Sequence, residues 1–211
     1  MTLSSLPIGA ILAGGEGRRF GSTPKPQARL GGTTLLDRVI ARLRPQTAAM
    51  VLSVRAAAPW HGAVGLPVTL DPMAEVGPMA GIGAALSWAR ANYPNVRSVL
   101  TVPADCPFIP RDLVAKLSAA CHDNVRIAVA ASGEQRHHLI ALWDVTLADD
   151  VMATVRGEGA LAVHRFQARY AAASVTWPSA PVDPFFNVNS ADDLSAAERY
   201  LGGVDQHLSR G

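Results

Sequence analysis

The chain has 211 residues, 49% of them hydrophobic, with a net charge of +2 at pH 7 and two cysteines. That length suits a single well-packed domain, and the near-neutral charge excludes the strongly basic balance of a general nucleic-acid or membrane-surface binder. The start "MTLSSLPIGAIL" has no basic segment and too short an apolar run for the ~20 residues of a membrane span, and Cys106 and Cys121 form neither a metal-ligand spacing nor a disulfide framework; a soluble cytoplasmic protein is expected.

Charge is unevenly spread along the chain. Residues 1 to 55 hold eight basic side chains against two acids, and the remainder eleven against fifteen. The basic part suits a local anionic ligand, although Arg38, Arg42 and Arg44 also fit a solvated helix face.

In chain order, "IGAIL" (8–12) reads as a buried strand, and Gly14, Gly15 and Gly17 follow it. Glycines after a strand let backbone N–H groups approach phosphate oxygens that a side chain would obstruct. The dinucleotide pattern G-x-G-x-x-G fails because Phe20 stands at the last glycine position, and the P-loop fails because Lys25 follows Pro24. Lys25 is one of two lysines in a chain with 17 arginines, which suggests that a compact point charge is wanted there. Pro24 and Pro26 restrict the backbone that carries it. A phosphate-binding loop is the reading, with a merely exposed basic loop as its alternative.

Thr33 or Thr34 can cap a helix with Leu35, Leu36, Val39, Ile40 and Leu43 on one face, stopped by Pro45. "AMVLSV" and "PVTL" are short strands, and Asp71 stands at the end of the second. Gly77, Gly81 and Gly83 form a close-approach turn into a helix that Pro78 opens. Such a small-residue wall suits a flat base and ribose, and Asp71 can accept hydrogen bonds from a base; purely structural roles fit these residues as well.

"SVLTV" is the next buried strand, and "PADCPF" places Asp105 just beyond it, between Pro103 and Pro107. A lone carboxylate there can hold magnesium, which takes its other ligands from phosphates and water. Cys106 has no histidine placed by sequence to activate it, so it is read as an inert small residue.

A helix is expected from Pro110 through about Leu117. "RIAVAA" and "LIALW" read as strands separated by "SGEQRHH", then come helices near residues 146–155 and 160–166, the strand "YAAASVTW" and a helix over 191–200. The histidines in these segments, His137, His138 and His164, are read as structural. In "PFFNVNSADDL", Asn187 and Asn189 face one way, two residues apart. They can reach a ligand or a metal, or cap the following helix, a role that Ser190 can also fill.

This alternation predicts an α/β fold: a three-layer αβα sandwich of Rossmann type with a mostly parallel mixed sheet. Ligands bind beyond the carboxyl ends of such strands. A single domain over 1–211 is expected, with a nucleotide-binding part near 8–110 and an acceptor part near 111–200.

Taken together, "LAGGEGRRFG" with Lys25 four residues on, Asp71 followed by "GPMAG", "VPADCPFIP" and "FFNVNSADDL" resemble the molybdenum cofactor guanylyltransferases from about residue 8 to 200. The resemblance implies transfer of GMP from GTP to molybdenum-bearing molybdopterin, with magnesium and release of pyrophosphate. It implies contact with the nucleotide by Leu12, Ala13, Gly14, Gly15, Lys25, Asp71, Gly77, Pro78, Gly81 and Asp105. Asp105 and Asn189 would hold the metal, and Asn187 and Asn189 would meet the acceptor. Its partners extend to molybdoenzymes or their chaperones. The chain departs from the family pattern at Pro24, where aspartate is usual, at Ser53, where asparagine is common, and at His138, where proline follows a histidine matched by His137. "PKP" is shared with sugar-phosphate nucleotidyltransferases, which with cytidylyl transfer and a non-catalytic nucleotide-binding regulator are the alternatives.

The residues support that chemistry. A phosphate-monoester acceptor is already an anion and needs no general base, so the barrier is charge repulsion: about 1 kcal/mol per pair at ~4 Å in water and about 4 at an effective dielectric near 20. Magnesium on Asp105, with Arg19 and Lys25 as catalytic cations, would offset it.

Overall fold

The computed structural model describes residues 6–15, 24–71, 73, 77–158 and 161–208. In chain order these form β1 (Ile8–Leu12), β2 (Arg29–Leu30), β3 (Thr33–Thr34), α1 (Leu35–Leu43), β4 (Ala49–Val54), β5 (Val68–Leu70) and α2 (Pro78–Asn92). Then follow β6 (Ser98–Pro103), α3 (Leu113–Ala120), β7 (Ile127–Ser132), β8 (Gln135–Asp144), α4 (Ala148–Glu158), α5 (Val163–Gln167), β9 (Ala172–Trp177) and α6 (Ala191–Leu208).

The main sheet has the order β5-β4-β1-β6-β8-β7-β9. Strand β8 runs antiparallel to both neighbours and the other pairings are parallel. Successive side chains of β4 go to opposite faces: Val51 packs with α2 and α4, whereas Met50, Leu52 and Val54 pack with α1 and α3. Helices therefore cover both faces, which is why the central strands β1, β4 and β6 read as largely apolar runs. Among the described residues, no helix is long and apolar enough to cross a membrane.

Local chemistry sets the ends of α1. Thr34 Oγ1 accepts from the Asp37 N–H at 3.0 Å, and Pro45 follows the last turn. Before it, β2 and β3 form a hairpin the sequence reading missed, turned by Gly31 and Gly32 at φ +56° and +80°. Leu30 and Leu35 pack there with Val188 and Ala197, so the segment carrying Lys25 is tied to α6.

Two expected elements are corrected. The third helix starts at Leu113, not at Pro110. Gln46, 7% exposed, donates to the Pro110 carbonyl at 2.9 Å and accepts from the Val114 N–H at 3.1 Å, replacing the bond that would have begun the helix earlier. Strand β8 also takes in most of "SGEQRHH": the chain turns through Gly133 at φ +54° and pairs from Gln135 onward. Its exposed polar start carried no apolar signal. Between the pairs Ala130–His137 and Val129–Ala141 the register shifts, so residues 138–140 bulge from the ladder.

Helices α2 and α4 pack at Gly83, where an added Cβ would lie 2.6 Å from Met152 Sδ and 3.0 Å from Val151 Cγ1. Gly83→Val is expected to overpack this contact by about 1–3 kcal/mol. Thermal unfolding should show a midpoint lower by several degrees, with the sheet-edge chemistry intact.

Candidate active site

The strands deliver their carboxyl ends to one cleft because backbone bonds continue beyond them. Ala13 N–H donates to Ser53 O at 2.8 Å, Ala104 N–H to Leu12 O at 3.0 Å, and Asp71 N–H to Val54 O at 2.8 Å. Beyond these ends lies a cavity of about 570 Å³. Leu12, Gly14, Gly15, Asp71, Gly77, Pro78, Gly81, Asp105 and Asn187 line it. Ala13 and Lys25 line an adjoining pocket of about 300 Å³ that shares Gly14 and Gly15. Arg19 lies outside the described residues.

Two glycines on this wall have steric reasons to be glycine. Gly77 precedes α2 at φ +79°, a conformation that other residues rarely adopt. A Cβ on Gly81 would lie 3.1 Å from Ser53 Oγ, which donates to the Gly81 carbonyl at 3.1 Å. Ser53, Arg55 and Leu139 also line the cavity and were not singled out as ligand contacts from the sequence. Ser53 was visible as a departure from the family pattern. Arg55 sits over Gly14, where a Cβ would be 3.1 Å from its Cγ, and Leu139 reaches the cavity from the β8 bulge.

Asp71 Oδ1 accepts from the Met73 N–H at 2.9 Å. Burial raises its carboxyl above the ordinary aspartate value, and the Met73 bond and Arg55 oppose that shift.

Lys25, in a short 3-10 turn after Pro24, points its ammonium at a cluster of oxygens. Nζ donates to Asn189 Oδ1 at 2.6 Å and to Asn187 Oδ1 at 3.2 Å, and forms an ion pair with Asp105 Oδ2. The side chains of Lys25 and Asp105 are only 13% and 16% exposed. The asparagines come from the loop before α6, where Val188 N–H donates to the Asp105 carbonyl at 3.0 Å. Ser190 Oγ accepts from Asp193 N–H at 3.1 Å, and Asp193 Oδ2 accepts from Asn189 N–H at 2.8 Å. Capping therefore falls to Ser190, and the amide oxygens of both asparagines face Lys25.

One carboxylate and two amide oxygens converging on an ammonium make a hard-oxygen site of the kind magnesium accepts when phosphates and water complete its shell. Among the described residues, no cluster of three or more His, Cys, Asp or Glu offers a self-contained metal cage. Cys106 is buried, its thiol raised by burial and by Asp105, in keeping with an inert residue.

Residues 9–174 match the family model described as the MobA-like NTP transferase domain. Curated relatives named molybdenum cofactor guanylyltransferase, from Bradyrhizobium sp. strain ORS 278 and Nitrobacter hamburgensis, are 46% and 43% identical over 207 and 208 residues. The alignments cover 97% of this chain in both cases and 97% and 99% of the relatives. The crystal structure of molybdopterin-guanine dinucleotide biosynthesis protein A from Archaeoglobus fulgidus has the same fold, with a TM-score of 0.70 at 21% identity over 93% of this chain and 99% of that one. With the cleft at the carboxyl edge of a Rossmann-like sheet and near-full-length relatives of one name, the chain belongs to the MobA-like NTP transferase family and is a nucleotidyltransferase.

Proposed function

We propose that this cytoplasmic enzyme, one domain over 1–211, transfers GMP from GTP to molybdenum-molybdopterin and releases pyrophosphate. The juxtaposition of Lys25, Asp105, Asn187 and Asn189 beside the cleft is the observation that carries this reading. Near-full-length relatives named for guanylyl transfer support the choice of nucleotide and acceptor.

In the reaction an oxygen of the acceptor's terminal phosphate bonds to the α-phosphorus of GTP. The bond from that phosphorus to the β-bridging oxygen breaks, and its electrons leave with pyrophosphate. The nucleophile is an anion already, so no side chain need remove a proton. Backbone N–H groups of Gly14 and Gly15 cradle the phosphates, Leu12 and Ala13 meet the nucleotide with other atoms because the Ala13 N–H is held by Ser53, and Gly77, Pro78 and Gly81 leave room for base and ribose. Asp71 accepts from the ring N–H and amino group of guanine. Lys25 and Arg19 stabilise charge on the leaving group, and Asn187 and Asn189 orient the acceptor beside Asp105. Magnesium, held by Asp105 and Asn189, would supply Lewis-acid stabilisation of the reacting phosphates. Residues 8–110 bind the nucleotide, 111–200 the acceptor, and downstream molybdoenzymes or their chaperones take the product.

The test is nucleotide selectivity. A hydrogen bond to a charged group contributes roughly 1.5–3 kcal/mol, so GTP should bind about ten-fold or more tighter than ATP or CTP. Asp71→Ala should abolish that preference in calorimetry. Because burial raises the Asp71 carboxyl, the preference should fade on acidification at a higher pH than an exposed aspartate would give. Equal binding of GTP and CTP by the unaltered enzyme would remove guanine specificity, and pyrophosphate release with a sugar phosphate but not molybdopterin would reassign the acceptor.

A further inference from the structure

Ser132, His137 and Asp183 form a polar cluster at the carboxyl end of β7, the start of β8 and the loop after β9. Ser132, 4% exposed, places Oγ 2.6 Å from His137 Nε2 and donates to Asp183 Oδ2 at 2.9 Å. The composition is that of a hydrolytic triad, but the order is not. In a triad the imidazole lies between carboxylate and hydroxyl, and takes the hydroxyl proton. Here the hydroxyl lies in the middle and gives its one proton to the carboxylate. Nε2 must then carry the hydrogen and donate it to Oγ, so this imidazole cannot serve as a base toward the serine. Burial, opposed by Asp183, also lowers the basicity of His137, which favours the neutral ring.

The cluster holds a loop instead. Asp183 Oδ1 accepts from the Phe185 N–H at 2.8 Å, and its backbone carbonyl accepts from the Phe186 N–H at 3.1 Å. Phe185 is buried, its ring centroid 4.9 Å from His137 and 5.3 Å from Trp177. Asn187 follows two residues after Phe185, so the clamp ends where the side chains around Lys25 begin. A displacement of about 1 Å in such a site can lower a rate by roughly 100-fold. We infer that Ser132, His137 and Asp183 are positioning residues, a hydroxyl-centred relay that fixes the loop so that the Asn187 and Asn189 amide oxygens face Lys25 and Asp105. The inference rests on the proposed reading for the catalytic role of that oxygen cluster.

Three variants of the full chain test it: Ser132→Ala, His137→Leu and His137→Gln, the last keeping an N–H donor close to the position of Nε2. Hydrogen exchange over 183–189 and steady-state pyrophosphate release with GTP and molybdopterin are the readouts. Ser132→Ala and His137→Leu are expected to speed exchange over 183–189 at least ten-fold, with the β1 and α1 peptides unchanged. Turnover should fall about ten-fold or more while KM for GTP stays within about two-fold, and His137→Gln should restore most of both. These variants cut the relay at different members, so one that fails to fold leaves the other to decide. Unchanged loop exchange, exchange raised equally throughout the protein, full turnover with a loosened loop, or a His137→Gln variant no better than His137→Leu each overturns the inference. If the unaltered enzyme transfers no guanylyl group, the proposed function fails on its own, and the loop-exchange arm still decides the positioning role.

Discussion

Asp105→Asn is expected to fold with an unchanged circular dichroism spectrum and to lose at least ~100-fold in pyrophosphate release, the scale set by losing transition-state charge stabilisation. The asparagine has the shape of the aspartate, and the backbone carbonyl of residue 105 keeps its bond from Val188 N–H. What disappears is the carboxylate charge that pairs with Lys25 beside the two asparagine oxygens. GTP binding should survive in weakened form, because the glycine loop and Asp71 are untouched. Asn189→Ala should cost less, since it removes a neutral ligand. A near-normal rate with unchanged magnesium dependence in Asp105→Asn would move the metal site elsewhere and overturn the mechanism.

Lys25→Ala should lower turnover by ~100-fold or more at saturating GTP, the effect of removing one preorganised charge. Lys25→Arg should rescue only part of this, because a planar guanidinium cannot reproduce a point charge among three converging oxygens. The same geometry gives a second readout that needs no turnover. In the free protein the ammonium sits where a divalent cation would meet Asp105 and Asn189, so manganese binding without nucleotide should tighten in Lys25→Ala. Undiminished turnover would reduce the loop to a basic surface feature, and unchanged manganese affinity would show that Lys25 does not compete with the metal.

Much of this architecture could be read from local patterns. Ile8–Leu12 is apolar throughout, and Ser98–Pro103 is apolar except for Ser98 and the buried Thr101, because helices cover both of their faces, and a doubly covered strand carries its own signature. Helix α1 announced both ends, through Thr34 and Pro45. Much of the candidate nucleotide wall was legible for a similar reason: Gly14, Gly15, Asp71 and Asp105 stand just after strands and Gly77, Pro78 and Gly81 at the start of α2, and parallel topology brings those positions to one edge. Misreadings arose where a distant group intervened. Gln46 moved the start of α3 from across the fold, and the polar half of β8 is held by pairing with β7 and lacks an apolar face of its own.

Local sequence carried the class of fold, the sheet edge at which the cleft opens and the kinds of side chain offered there, because turn chemistry, capping and hydrophobic period act over a few residues. Which of those side chains meet depended on how the whole chain packs. Lys25 reaches Asn187 and Asn189 across 162 and 164 residues, and Ser132 reaches Asp183 across 51. Whether Asn187 and Asn189 cap α6 or turn toward a ligand or a metal was open in the sequence, since either role suits an asparagine before a helix. Packing of the loop on Asp105 leaves the cap to Ser190 and turns both amide oxygens to Lys25, because hydrogen bonds between remote segments depend on how the whole sheet is covered and closed.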